Sequence, residues 1–276
     1  MKFKDIVFAL RGHDIGANFE EMLINADKSG VKKLQLAMTK TIKDVDFDVL
    51  GYDADFSRKV KKALDAHSLS VAVLGCYINP VDTDEKSREV QLTRFENFIR
   101  YAKDLNAAVI GTETGSVGSL EETHSESNYN SFIASVRRLV KQAEKYDVTI
   151  GIEPVASLTI HSPQVMRRVL DDAASDNLGV ILDISNMITT ENFNLQSKII
   201  DDSFDLLGNK IKAVHLKDFS IENGRKSFAV PGEGLLEIKH IFDRIEELSI
   251  SPEIVLDECP VSRYNDALNN LKDIIK

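Results

Sequence analysis

Cysteine is scarce in this chain, and it has no long apolar or basic run. Its 276 residues contain two cysteines, Cys76 and Cys259. No CxxC spacing suggests a zinc knuckle, and so few thiols suit a reducing compartment. No stretch approaches the ~18 consecutive apolar residues of a membrane-spanning helix. The apolar core near the N-terminus, Ile6 to Leu10 ahead of Arg11, is too short for the apolar region of a signal peptide. Together these absences lead us to expect a cytoplasmic protein with no membrane association. The net charge is −10, from 34 basic against 44 acidic residues. Lys and Arg are nowhere concentrated into a local basic face. Phosphate binding needs such a face, so a nucleic-acid partner is not expected.

What the sequence does contain is alternation. Short β-branched runs recur from end to end: DIVFAL near 5–10, KKLQLAM near 32–38, LSVAVLGCYI near 69–78 and AAVIGTE near 107–113. VTIGIE near 148–153, LGVILDI near 178–184, IKAVHLK near 211–217 and EIVLDE near 253–258 follow. Each reads as a buried parallel strand. Helical patterns separate them. SREVQLTRFENFIRYAKDLN places Val90, Phe95, Phe98, Ile99 and Ala102 on one face. Ser162-Pro163 supplies a capping side chain followed by proline at a helix start. Eight strand–helix units at a mean repeat of roughly 35 residues predict an α/β fold of the (β/α)₈ TIM-barrel type. No GxGxxG follows the first strand, which disfavours an open doubly wound sheet. No low-complexity linker or shift in composition marks a boundary, so a single domain over residues 1–276 is expected.

In such barrels the chemistry sits at the C-terminal ends of the strands. Here those ends carry Glu153, Asp183, His215 and the pair Asp257-Glu258. Strand alternation turns Val148, Ile150 and Ile152 toward the helices, and Thr149, Gly151 and Glu153 into the barrel. Carboxylates and one imidazole converging on a point suit one divalent metal ion: Mn²⁺, Mg²⁺, Co²⁺ or Zn²⁺. The alternative is that each acid pairs with a basic side chain and His215 is a hydrogen-bonded core histidine. Arg11 and His13 end the first strand, Glu113 ends the fourth and His161 lies just beyond Glu153. Each of them could touch substrate or form part of the rim. FSIENGRKSFAVPGEG reads as a solvated loop before a tight turn, although Arg225 and Lys226 could hold an anion there. No histidine is placed to activate Cys259, which reads as a small buried side chain.

IGIEP, GVILDISN, VHLKD, VPGEG and IVLDE resemble the successive signatures of the sugar phosphate isomerase/epimerase family, the xylose isomerase-like TIM barrels. The resemblance covers essentially the whole chain and is strongest between residues 107 and 260. It implies metal ligands at Glu153, Asp183, His215 and Glu258, with Asp257 as the alternative should the last strand slip by one residue. It also implies that Glu153 and Glu258 are the catalytic acid/base pair. The expected activity is a metal-dependent isomerase or epimerase that abstracts a proton from a small sugar, sugar acid or sugar phosphate through an enediolate. A dehydration of the inosose dehydratase kind and a non-catalytic sugar-binding barrel are the alternatives. Homodimers or homotetramers are common among the proteins resembled.

Two departures stand out. The family usually has Asp-x-x-His after the sixth strand, where this chain has Asp183-Ile-Ser-Asn186. Asn186 can hydrogen-bond a substrate but is no acid at neutral pH. The ketose epimerases keep a second glutamate six residues after the first, where this chain has Thr159. An endonuclease IV-like repair activity is disfavoured, because that enzyme needs further histidines at strand ends. This chain has six in all, Cys76 and Tyr77 end the third strand, and His67 and His240 fall in predicted helices.

Overall fold

The computed structural model describes residues 3–275, so residues 1–2 and 276 of the expected 1–276 domain lie outside the described residues. Parallel strands form first around the short β-branched runs: β1 (Ala9–Arg11), β2 (Lys33–Leu36), β3 (Ser70–Gly75), β4 (Val109–Glu113), β5 (Ile150–Glu153), β6 (Leu178–Leu182) and β7 (Ile211–Leu216). Next comes an antiparallel hairpin, β8 (Asp218–Glu222) with β9 (Arg225–Ala229), and then β10 (Glu253–Leu256). The parallel strands close a barrel in the order β1-β10-β7-β6-β5-β4-β3-β2, with the hairpin outside it as its own two-stranded sheet. This is a single TIM-barrel domain with flanking helices. The hairpin corrects the reading of residues 219–234 as a loop. Asn223 and Gly224, both at positive φ, supply the left-handed turn that a two-residue hairpin connection requires.

Local signals set the helix ends. Asp53, Asp84, Ser125 and Ser162 each accept first-turn backbone N–H groups, with Pro163 at the first position of its helix. Asn106 and Asp147 end the two longest helices, Glu85–Leu105 and Glu126–Tyr146, in the left-handed conformation. The helix face expected at 87–106 buries Phe95, Phe98, Ile99 and Ala102, but Val90 is exposed. The buried face runs through Leu92, Phe95, Phe98, Ile99, Ala102 and Leu105, and helical spacing turns Val90 away from it.

Two apolar layers follow from strand alternation. Val148, Ile150 and Ile152 pack outward into the large core beneath the helices. The barrel interior is lined by a separate set of small side chains: Ala9, Ala72, Val73, Val109, Ile181, Ala213 and Val255. Gly111 and Gly151 are register partners in this layer. A Cβ on Gly111 would lie 2.5 Å from Ile181 Cδ1, and one on Gly151 2.8 Å from Ile181 Cγ1. The two glycines therefore leave the space that Ile181 fills across the barrel. Below this layer, Lys33 pairs with Glu253 at 2.8 Å. The interior between is a packed apolar plug.

Candidate functional site

The layer above this plug follows from it by period two. Two residues beyond the interior positions Ala9, Val73, Gly111, Gly151, Ile181, Ala213 and Val255 stand Arg11, Gly75, Glu113, Glu153, Asp183, His215 and Asp257. The structure brings Glu153, Asp183 and His215 together. One ligand atom from each lies within 4.8 Å of the others, and all three residues are buried. Both ring nitrogens of His215 and Oδ2 of Asp183 are buried without a hydrogen-bond partner. Asp183 Oδ1 accepts the backbone N–H of Asn186 (3.0 Å), and Asn186 Nδ2 donates to Glu153 Oε1 (2.7 Å). Buried polar atoms are nearly always satisfied, so this many unsatisfied ones converging on one point mark a place for a ligand. Carboxylate oxygens with an imidazole nitrogen fit a divalent cation of the Mg²⁺, Mn²⁺ or Zn²⁺ type.

The last strand presents Asp257 to this cluster. Asp257 Oδ2 lies 3.8 Å from His215 Nδ1, while Glu153 Oε2 approaches the same nitrogen to 3.4 Å. Glu258 stands apart from them. Its backbone is left-handed (φ 52) and its side chain, 38% exposed, reaches Arg11 at 3.3 Å. Val255 faces the interior, so Asp257 must face inward too, and the next residue leaves the barrel wall. Arg11 also pairs with Asp257 and, at 2.7 Å, with Asp14.

Lys217, absent from the expected set, is the cation of the centre. It lies two residues beyond His215 on the same side of the strand, and it is 8% exposed. Its ammonium is 3.1 Å from Asp257 Oδ2 and 3.4 Å from Asp183 Oδ2, and it donates to Asn186 Oδ1 at 3.2 Å. Asn186 thus joins Glu153 to Lys217, donating to one and accepting from the other, which accounts for an amide at this position.

Burial pushes Asp183 up to about 7, with Lys217 opposing and Glu153 and Asp257 adding to the rise. Burial works against a charged His215, but Glu153 and Asp257 outweigh it and raise the imidazole above its ordinary value. For Asp257 burial is likewise outweighed: His215, Lys217 and Arg11 hold it below the usual carboxylate range. Burial also works against the Lys217 ammonium, yet Asp183, Asp257 and Glu153 keep it protonated.

The remaining expected residues are scattered around the mouth. Burial, and after it Glu153, raises Glu113, the register partner of Glu153. His13 occupies the turn after β1, with Nδ1 buried and unpartnered. His161 stacks on His124 at 3.8 Å between ring centroids, and its Nδ1 lies 3.3 Å from the Thr159 carbonyl. Thr159 is structural: its hydroxyl donates to the Gly115 carbonyl and accepts from Asn128. Arg225 is exposed on the hairpin and touches none of the centre, whereas Lys226 donates to the carbonyls of Ser185 and Ile188. That contact folds the hairpin over the mouth, where the half-exposed Phe228 ring lies 5.1 Å from the Lys217 ammonium. Asp218 anchors the hairpin base by accepting the backbone N–H groups of Gly232, Gly234 and Leu236. Among the described residues no helix is long and apolar enough to cross a membrane.

The model of the xylose isomerase-like TIM barrel matches residues 23–274. The chain belongs to that family. Its fold is shared with several solved structures at low sequence identity. A D-tagatose 3-epimerase-like protein superposes with a TM-score of 0.78 at 15% identity, over 98% of each chain. A family member from Mycobacterium smegmatis in complex with magnesium gives a TM-score of 0.76 at 12% identity, over the whole of both chains. The probable 3-DHS dehydratase from Bacillus anthracis gives 0.71 at 14%, over 99% of this chain and 97% of that one. No curated protein matches the chain in sequence.

Proposed function

We propose that this family member is a metal-dependent isomerase or epimerase, acting on a small sugar-like substrate by moving a proton beside a carbonyl. The observation that carries the reading is the burial and convergence of Glu153, Asp183 and His215, with no hydrogen bond made by His215 Nε2. These three residues would hold the ion, and Asp257 replaces Glu258 as the fourth ligand. A divalent ion held there would polarise the carbonyl and stabilise negative charge on its oxygen. Magnesium in one structural relative and an epimerase-like name on another favour the same reading.

The chain's own residues divide the remaining tasks. Asn186 fixes Glu153 through Oε1 and leaves Oε2 directed at the centre, so Glu153 is the base that takes the proton. Asp257 flanks His215 on the other side and is held ionised by Arg11 and Lys217, so the proton is returned by Glu153, which took it. Lys217 is placed to donate a hydrogen bond to a substrate oxygen as negative charge develops.

A second reading, dehydration, draws on Lys217 as well. A buried ammonium beside the pocket can protonate a departing hydroxyl, which isomerisation does not require. Incubating ketoses and cyclic keto-polyols with the Mn²⁺-loaded protein in D₂O tests both. Deuterium next to the carbonyl without loss of water supports isomerisation or epimerisation. A new conjugated ultraviolet absorbance, with loss of water, supports dehydration. If neither develops, both reactions are wrong.

A further inference from the structure

The hairpin β8–β9 is tied down at both ends. At its base Asp218 accepts the backbone N–H groups of Gly232, Gly234 and Leu236, and the Phe219 carbonyl accepts that of Leu235 at 2.7 Å. Pairing and alternation put Phe219, Ile221, Lys226 and Phe228 on one face of the ribbon, with Ser220, Arg225 and Ser227 on the other. Near the tip, the Lys226 ammonium lies 4.8 Å from the Phe219 ring centroid and 5.8 Å from that of Phe228, so the two rings flank it. From there it donates to the Ser185 carbonyl and, at 2.9 Å, to the Ile188 carbonyl.

Those carbonyls belong to the turn that builds half of the centre. Ile184–Met187 is a single helical turn capped by Asp183, and one turn is too short to persist without outside support. It carries Asp183 at its start and Asn186 at its third residue. Asn186 in turn holds Glu153 at 2.7 Å and accepts from Lys217 at 3.2 Å. The Ala156 N–H restrains the turn by donating to the Asn186 carbonyl at 2.9 Å. Lys226 restrains it from the hairpin side, as a cation on C-terminal carbonyls, where a helical turn favours positive charge. Burial pulls the Lys226 ammonium below its ordinary value, Asp183 opposes that shift and Lys217 adds to it.

We infer that Lys226 is a positioning residue: by clamping the Ser185 and Ile188 carbonyls it fixes the turn that delivers Asp183 and Asn186, so that the hairpin and the metal centre order as one unit. Lys226 acts through the backbone rather than through any proposed ligand atom. The coupling rests on Glu153, Asp183 and His215 holding the ion. It is reciprocal, so a clamp that raises metal affinity is strengthened by the metal by the same factor. Charge alone predicts the opposite sign: a lysine near a cation site repels the cation, and removing it would tighten metal binding.

The test compares the wild type with Lys226→Met, Lys226→Arg and, as a control for charge, Arg225→Met, whose side chain is exposed on the outer face of the hairpin. Calorimetric titration gives the Mn²⁺ affinity, and hydrogen–deuterium exchange of backbone amides is followed with and without Mn²⁺. Mn²⁺ should slow exchange across residues 219–229 of the wild type. Lys226→Met should bind Mn²⁺ about tenfold more weakly, as loss of a group supporting a metal ligand does, and should lose most of that protection. Lys226→Arg, which keeps a cation with several donors, should recover most of both, and Arg225→Met should behave as the wild type. Unchanged or tighter Mn²⁺ binding by Lys226→Met would overturn the clamp, as would hairpin exchange indifferent to Mn²⁺ in a wild type that binds the ion. A wild type that binds no Mn²⁺ overturns the metal reading instead. The clamp is then read in the metal-free protein, where faster exchange at residues 184–190 in Lys226→Met supports it and equal exchange overturns it. Weakened Mn²⁺ binding that Lys226→Arg restores, with no deuterium incorporated into any ketose, leaves the clamp and refutes the isomerase.

Discussion

Replacing Lys217 by Met is the perturbation whose size follows most directly from the structure. The ammonium lies 3.1 Å from Asp257 and 3.4 Å from Asp183, in a pocket where neither carboxylate is more than 4% exposed. Removing one partner of a buried ion cluster leaves uncompensated charge and costs about 3–5 kcal/mol. Arg11 and His215 still offset part of the negative charge here, so about 3 kcal/mol is expected. For a domain of this size that corresponds to a melting temperature lower by roughly 6–12 °C. The deficit should be specific to the metal-free protein, because a divalent cation bound among Glu153, Asp183 and His215 supplies the missing positive charge. Thermal unfolding followed by circular dichroism, in EDTA and in excess Mn²⁺, reads both effects. A variant that melts with the wild type in EDTA, or whose deficit Mn²⁺ does not reduce, would refute the electrostatic description of the centre.

Other outcomes follow from the same geometry. Asp183 titrates at about 7 in the folded protein against about 3.9 unfolded, so the folded state holds the extra proton between these values. Its contribution to metal-free stability is therefore present below pH ~4 and lost as pH rises to about 7. Metal affinity should run the other way, rising by up to about a hundredfold per pH unit where Asp183 and His215 must both lose a proton and flattening above their pKa values; a pH-independent affinity by calorimetry would contradict the ligand set. Asp257→Asn should abolish deuterium exchange while Glu258→Gln largely retains it, and the reverse order would reinstate Glu258. Gly111→Ala should destabilise by about 1–3 kcal/mol through overpacking, since its Cβ would meet Ile181 Cδ1 at 2.5 Å; denaturant unfolding measures this.

The barrel was legible because both of its periods are written in the chain. Strand runs of β-branched residues fix eight parallel strands, and alternation in VTIGIE places Glu153 inward, above Gly151. The same alternation turns Asp257 rather than Glu258 into the barrel once Val255 is recognised as an interior residue, and that orientation is readable within EIVLDE itself. Lys217 was readable too, as the residue two beyond His215 in VHLKD. A lysine at a strand end is usually solvated, and only closure of the barrel brings Asp183 and Asp257 to it. The hairpin is hidden in the sequence for a different reason. Polar FSIENGRKSFA lacks the apolar alternation of a buried strand, and its pairing depends on contacts of Lys226 and Asp218 with segments distant in sequence.

The most direct test of the metal centre is a titration of metal-free protein with Mn²⁺, Mg²⁺ and Zn²⁺, comparing the wild type with Glu153→Gln and His215→Ala. The wild type should bind one divalent ion per chain, and each substitution should weaken that binding by about tenfold or more. Full stoichiometry and unchanged affinity in both variants would contradict the assignment of Glu153, Asp183 and His215 as a metal site.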